Sequence, residues 1–174
     1  MHRRAIIGTA VFLVLAPGTV DGLLPWWLTG WRMRPALPVW LPARLLGILL
    51  IAAGCAVLLA AFVRFAIEGL GTPAPVAPPT RLVIGGLYRY VRNPMYLAVV
   101  TVIIGQALLL WQPILVGYAM VALAAMVAFV LEYEQPALRR QFGDEYEAYR
   151  RAVPGWWPRR RPFNPEPNTV HKGQ

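Results

Sequence analysis

The feature that most constrains this chain is a segment of 39 residues, Asn93–Leu131, that contains no Asp, Glu, Lys or Arg. As a single α-helix it would measure roughly 58 Å, about twice the thickness of a bilayer core. The segment therefore predicts two membrane crossings. Trp111–Pro113 is the expected turn, because proline favours the start of a helix and tryptophan favours the membrane interface. We expect a helical hairpin with arms at 94–111 and 113–133.

The composition supports a membrane protein. The chain of 174 residues is 57% hydrophobic and only 14% charged, whereas a soluble domain carries roughly 25% charged residues. The net charge of +9 raises the possibility of nucleic-acid binding, but arginines also gather on the cytoplasmic side of membrane proteins. No groove-reading motif accompanies the charge, so we expect no nucleic-acid partner.

The N-terminal segment is open to two interpretations. A basic start is followed by the uncharged stretch Ala5–Ala16, which is typical of a signal peptide or of a first membrane helix. No clear small-x-small cleavage site follows the stretch, because Pro17 and Gly18 come next. We therefore favour a membrane helix over residues 5–28 that is kinked at Pro17.

A second membrane helix is predicted over residues 43–66. Its centre, Leu45–Val63, is a run of 19 uncharged residues, which spans roughly 28 Å as a helix. The loop predicted over 67–93 begins with a stretch rich in proline and glycine, which prevents a continuous helix.

The chain becomes polar again after the hairpin. Five apolar or aromatic residues recur at spacings of four, four, three and four, which predicts an amphipathic helix over 136–153. They are Leu138, Phe142, Tyr146, Tyr149 and Val153. We expect the tail over 162–174 to be disordered.

These segments predict one all-α integral membrane domain over residues 1–174. It has about four transmembrane helices, which include the C-terminal helical hairpin, plus a cytosolic amphipathic helix. With both termini cytoplasmic, fourteen of the seventeen Lys and Arg residues lie inside, as the positive-inside rule requires. We expect a multi-pass protein of a bacterial inner membrane, surrounded by membrane lipids.

Two polar clusters flank the hairpin. The opening cluster, Leu87–Tyr96, carries two arginines and three tyrosines, and the closing cluster, Glu132–Glu134, is acidic and aromatic. A hairpin that crosses and returns brings both clusters to the same membrane face. They could serve as anchors and ion-pair partners, or they could form a site, because charged groups at a membrane are costly unless paired.

A metal site is not expected. Cys55 is the only cysteine, and the two histidines, His2 and His171, lie near the chain termini, so the usual sets of nitrogen and sulfur ligands cannot form.

The two clusters resemble a known family. Gly86–Tyr96 is similar to the motif Gly-x-Tyr-x-x-x-Arg-His-Pro-x-Tyr of the isoprenylcysteine carboxyl methyltransferases and the related phospholipid methyltransferases. The residues after the hairpin resemble the family's second block, in which paired glutamates precede Phe-Gly-x-Glu-Tyr-x-x-Tyr and Val-Pro. That block corresponds to Glu132–Pro154. The resemblance covers residues from about 85 to 158.

The resemblance implies methyl transfer from S-adenosylmethionine to a lipophilic acceptor at the cytoplasmic membrane surface. The acceptor is the carboxylate of a prenylcysteine-like compound, a lipid amine or a thiol. The candidate substrate residues are Arg92 and Glu134. The candidate cofactor residues are Tyr88, Asn93, Tyr96, Glu132 and Tyr146.

One residue departs from the family motif, because Asn93 stands where the family has histidine. Asparagine donates and accepts hydrogen bonds but does not titrate near neutral pH. We expect this position to bind rather than to carry a proton.

Two other functions are compatible with the sequence. A non-catalytic scaffold or transport component is one, although transporters more often carry ionisable residues in mid-membrane. An NADPH enzyme similar to the sterol reductases is the other, because that family shares an Arg-His-Pro-x-Tyr element. Its chains have many more helices than 174 residues allow.

Overall fold

The computed structural model describes residues 15–34, 40–68 and 81–164, and within these ranges it contains helices, turns and loops but no β-strand. The helices, in chain order, are a π-helical turn (Gly18–Leu23), α1 (Leu24–Thr29), α2 (Trp40–Glu68), a 3₁₀ turn (Gly86–Arg89), α3 (Pro94–Leu110), α4 (Pro113–Phe129), a second π-helical turn (Val130–Glu134) and α5 (Gln135–Ala152). The predicted all-α class is confirmed. Residues 5–14 of the predicted first helix, 69–80 of the predicted loop and 165–174 of the predicted tail lie outside the described residues.

Two of the described helical stretches are long and apolar enough, by length and composition, to cross a membrane. They are Leu41–Phe65 and Pro113–Ala152. Helix α3 is also apolar but has only 17 residues, about 25 Å of helix.

The hairpin turn lies at Trp111–Pro113, where the sequence predicts it. Trp111 ends α3 with a left-handed backbone (φ 54°, ψ 49°), and Pro113 starts α4, where its missing N–H is not needed. Gln112 Nε2 donates to the backbone oxygen of Arg32 at 2.8 Å. The loop after α1 is therefore tied to this turn.

Helices α2 and α3 pack through glycines. A Cβ added at Gly105 would lie 2.8 Å from the backbone oxygen of Gly47, and one added at Gly54 would lie 2.7 Å from the side chain of Val102. Side chains at these positions would force the helices apart. The small residues thus set the close approach of two apolar helices, as is common in membranes.

The first π-helical turn starts directly after Pro17, where the sequence predicts a kink. Proline removes a backbone donor and disturbs the helical bond pattern around it. Two polar side chains from the hairpin bond to backbone oxygens of this turn: Gln106 Nε2 donates to Asp21 at 2.6 Å, and Tyr118 Oη donates to Val20 at 2.8 Å. These bonds attach the N-terminal helical segment to the hairpin.

The second hairpin arm runs without a break into the helix that follows it, as far as a kink at Gly143. The sequence predicts separate helices over 113–133 and 136–153 instead. The π-helical turn Val130–Glu134 bridges α4 and α5. We attribute this turn to Pro136 just beyond it, because a proline inside a helix removes one backbone hydrogen bond and crowds the preceding turn. Gly143 then bends α5 with a positive φ of 51°.

Residues 153–163, here named the C-terminal strap, run back along the end of the opening cluster. The backbone N–H of Arg92 donates to Pro154 O, that of Arg159 to Tyr90 O and that of Phe163 to Arg89 O, at 2.9 to 3.0 Å. The beginning of the segment that was predicted to be disordered from residue 162 is therefore held against the opening cluster.

Candidate functional site

A cavity of about 540 Å³ lies where the opening and closing clusters meet. Its apolar lining comes from α2, α3, α4 and the N-terminal helical segment, and its polar lining comes from the two clusters and α5. The apolar lining includes Val20, Leu58, Phe62, Val99, Met126 and Phe129. The cavity therefore combines a large apolar surface with a limited set of polar groups, as binding sites for small molecules commonly do.

One hydrogen bond joins the two clusters directly. Tyr96, in the first turn of α3, donates its hydroxyl to Glu134 Oε2 at 3.0 Å, and both side chains line the cavity. Helix α3 starts at Pro94, and the second π-helical turn ends at Glu134. The two arms of the hairpin thus bring an aromatic hydroxyl and a carboxylate together across 38 residues of chain.

Arg92 lines the cavity, but its guanidinium group already donates hydrogen bonds to other residues of the protein. Its Nε donates to the backbone oxygen of Val153 at 2.9 Å, and its Nη1 donates to Tyr146 Oη at 3.1 Å. The third nitrogen, Nη2, lies against Gly155, since a Cβ built there would be 3.2 Å away. Arg92 therefore links the start of α3 to α5 and to the strap.

Asn93 precedes the first residue of α3, and its side chain is buried without capping the helix. Among the described residues, its Nδ2 has no hydrogen-bond partner. A buried donor without a partner carries an energetic cost. Because Asn93 also lines the cavity, this N–H group is well suited to donate to a ligand's oxygen or ring nitrogen.

Three tyrosines complete the polar part of the cavity. Tyr88 is buried in the 3₁₀ turn, and its backbone oxygen accepts a bond of 2.7 Å from Tyr149 Oη. Tyr146 is fully buried and accepts the bond from Arg92. All three line the cavity, so aromatic rings from the opening cluster and from α5 share one space.

Glu132 is the predicted site residue that the structure places elsewhere. Its side chain is exposed and does not line the cavity, whereas Glu134, two positions later, does. The helical path of the π turn explains the difference, because residues two apart on a helix point in different directions. The structure therefore gives Glu132 no contact with this cavity, and its role in holding a cofactor stays a prediction.

Glu134 lies three residues after the end of the uncharged segment at Leu131. Its charge state depends on the groups around it. Burial raises the pKa of the Glu134 carboxyl above its ordinary value of 4.5, and the bond from Tyr96 and the charge of Arg92 oppose that rise. Burial also raises the pKa of Tyr88 well above its ordinary value, so this phenol stays neutral. Glu134 is the carboxylate that lines the cavity, and a charged ligand placed beside it would shift its pKa further.

Several residues that line the cavity are not among the predicted site residues. Tyr149 lies three positions after Tyr146 on the same helical face, so its spacing could have identified it. Arg140 and Gln141 also line the cavity but carry no distinguishing sequence signal. The apolar wall could not be predicted, because apolar side chains recur throughout α2, α3 and α4.

The cavity is suited to bind a cationic group at its polar part and a hydrocarbon group along its apolar wall. Carboxylate and tyrosine faces attract cations, and the apolar wall takes hydrocarbon. In the described part of the chain, no group of three or more His, Cys, Asp or Glu residues could hold a metal ion.

Comparison with known proteins gives one match. The family model described as phospholipid methyltransferase matches residues 42–145, which cover most of α2, all of α3 and α4, and the first half of α5. Searches of curated proteins and of solved structures find nothing similar. Of the seven predicted site residues, Tyr146 lies just beyond the matched range, as does the whole C-terminal strap.

Proposed function

Since this chain belongs to the phospholipid methyltransferase family and is a methyltransferase, we propose that it transfers a methyl group from S-adenosylmethionine to a lipophilic acceptor at the cytoplasmic membrane surface. The observation that carries the proposal is the pairing of Tyr96 with Glu134 in a cavity that is otherwise largely apolar. Such a cavity places a cation-binding group next to space for a hydrocarbon tail.

The residues around the polar region fit the cofactor. Tyr88, Tyr96, Tyr146 and Asn93 would hold S-adenosylmethionine, with aromatic faces for its sulfonium group and the Nδ2 group of Asn93 for one of its hydrogen-bond acceptors. When bound, this cofactor supplies an electrophilic methyl group. The surrounding side chains orient the two reactants and exclude water, which provides much of the acceleration in a displacement of this kind.

Glu134 is proposed to act on the acceptor. If the acceptor is an amine, the carboxylate holds its ammonium form and takes the proton that must leave before the nitrogen can attack. Burial raises the pKa of Glu134, which makes the carboxylate a better base. A carboxylate acceptor would instead be repelled by the like charge of Glu134 and would need Arg92 to bind it. Two nitrogens of Arg92 are already hydrogen-bonded, to Val153 and Tyr146. These contacts favour an amine over a carboxylate.

The proposed topology has four crossings with both termini in the cytoplasm. It is supported by the distribution of basic residues, fourteen inside and three outside, and by the position of the two clusters at one end of the hairpin. The cavity then opens near the cytoplasmic face. Cofactor enters from the cytoplasm and acceptor enters from the bilayer.

A transfer assay with product identification tests the proposal. The purified protein, in lipid vesicles with added total lipid extract, is supplied with S-adenosylmethionine that carries a radiolabelled methyl group. We expect label in an organic-soluble product whose new methyl group is on nitrogen. Label confined to water-soluble compounds would contradict a lipophilic acceptor, and label on an ester oxygen would contradict the amine assignment.

A further inference from the structure

The C-terminal strap contacts the polar part of the cavity at three successive residues, although it lies outside the range that the family model matches. Pro154 accepts a bond of 2.9 Å from the backbone N–H of Arg92. Gly155 lies against the side chains of Arg92 and Asn93. Trp156 lies against Tyr96. The strap therefore follows the residues that are proposed to hold the cofactor.

Gly155 is placed where a side chain would disturb two of these residues. A Cβ built on Gly155 would lie 3.2 Å from Arg92 Nη2 and 3.5 Å from Asn93 Nδ2. The first distance is shorter than ordinary van der Waals contact, so the guanidinium group would have to move. Arg92 also donates to Tyr146, and a movement of Arg92 would be passed on to that ring.

Trp156 supports the other side of the polar region. Its ring centroid lies 6.3 Å from that of Tyr96 with an interplanar angle of 31°, within the range of favourable aromatic contacts. Tyr96 in turn donates to Glu134. The next residue, Trp157, is 83% exposed, so the two neighbouring tryptophans have different surroundings.

We propose that Gly155 and Trp156 are positioning residues for the cofactor, Gly155 through Arg92 and Asn93 and Trp156 through Tyr96. This inference rests on the proposed function, because it assigns the polar part of the cavity to S-adenosylmethionine. Neither residue lines the cavity itself. They act by fixing the side chains that do.

The test measures equilibrium binding of labelled S-adenosylmethionine to the full-length protein in detergent. The variants are Gly155→Ala, Trp156→Ala and Trp156→Phe. Gly117→Ala and Trp157→Ala are matched controls, since a Cβ at Gly117 meets nothing within 4 Å and Trp157 is exposed. Neither glycine has a positive φ, so alanine adds only its methyl group. Thermal unfolding without cofactor is recorded for every variant to confirm that it is folded.

We expect Gly155→Ala and Trp156→Ala to weaken cofactor binding about tenfold while the protein stays folded, since small displacements of binding groups are costly. Trp156→Phe should restore most of the affinity, because the ring contact with Tyr96 is kept. Both controls should bind as the wild type does. Wild-type affinity in Gly155→Ala and Trp156→Ala would overturn the inference and leave the proposed function standing. An absence of cofactor binding by the wild type would overturn both.

Discussion

The contacts of Glu134 are the most informative about the chemistry of the cavity. It is bonded to Tyr96, lies near the charge of Arg92 and lines a largely apolar space. A carboxylate in such a place is costly unless it is paired. A cationic ligand would complete the pairing, and this is the physical reason for assigning the polar region to a sulfonium cofactor and an amine acceptor.

Replacement of Glu134 by glutamine should reduce methyl transfer about 100-fold, since a proton-accepting group typically contributes a factor of this order. Glu132→Gln is the control, because Glu132 is exposed and outside the cavity. It should transfer at close to the wild-type rate. Initial rates with labelled cofactor measure the difference. Equal losses in both variants would contradict the assignment of the site to Glu134.

Methyl transfer should also depend on pH through Glu134. The ionised form is the active one, so activity is lost as pH falls through the pKa of this carboxyl. Burial raises that pKa above the ordinary 4.5, and the loss therefore begins at a higher pH than an exposed glutamate would cause. A pH profile of the initial rate records it. The residual activity of Glu134→Gln should not show this loss at low pH. If the loss persists in the variant, a group other than Glu134 causes it.

At the scale of helices, the site depends on how closely α2 and α3 approach each other. Gly105 and Gly47 face each other's backbones, and the start of α3 carries Asn93 and Tyr96 into the cavity. Any change in the spacing of these helices therefore moves the wall that holds the polar residues. Packing and function are coupled through α3.

Gly105→Ala should destabilise the protein by about 1–3 kcal/mol, because its Cβ would overlap the backbone of α2 and overpacking has costs of this size. Gly117→Ala, in the same hairpin but facing open space, should leave stability within about 0.5 kcal/mol of the wild type. Chemical unfolding in detergent compares the two. A Gly105→Ala protein as stable as the control would show that α2 and α3 pack less tightly than described.

Part of this architecture follows from the sequence, and part depends on contacts that a sequence does not display. Charge-free runs and Trp111–Pro113 predict the hairpin, because helix length and turn chemistry are local properties. The continuity of α4 and α5 was not predicted, since it depends on a π-helical turn before Pro136. The meeting of the two clusters was predicted from the hairpin, but which of Glu132 and Glu134 faces inward was not. That choice depends on the rotation of one helical turn.

For the whole molecule, the proposed function requires that the cavity's polar region face the cytoplasm, from which the cofactor would enter. The polar clusters, α5 and the C-terminal strap lie together at one end of the hairpin. The turn at Trp111, by contrast, is bonded to the loop after α1. These two ends should lie on opposite sides of the membrane.

Thiol labelling of intact cells tests this orientation. In a Cys55→Ser background, which removes the natural cysteine, Arg34→Cys should react with a membrane-impermeant reagent added outside. Arg161→Cys should react only after the cells are opened. Both positions have exposed side chains. The reverse pattern, or labelling of both from one side, would contradict the four-crossing topology.

The central claim is that the cavity between the two clusters binds S-adenosylmethionine, and thermal unfolding of the purified wild-type protein in detergent with and without that cofactor tests it most directly. A ligand at 100 times its dissociation constant stabilises the folded state by about 2.7 kcal/mol. We expect a rise in Tm that grows with cofactor concentration and is smaller in Asn93→Ala, which removes the donor that has no partner among the described residues and is proposed to bind the cofactor. An unchanged Tm of the wild type at saturating cofactor, or an equal rise in Asn93→Ala, would contradict it.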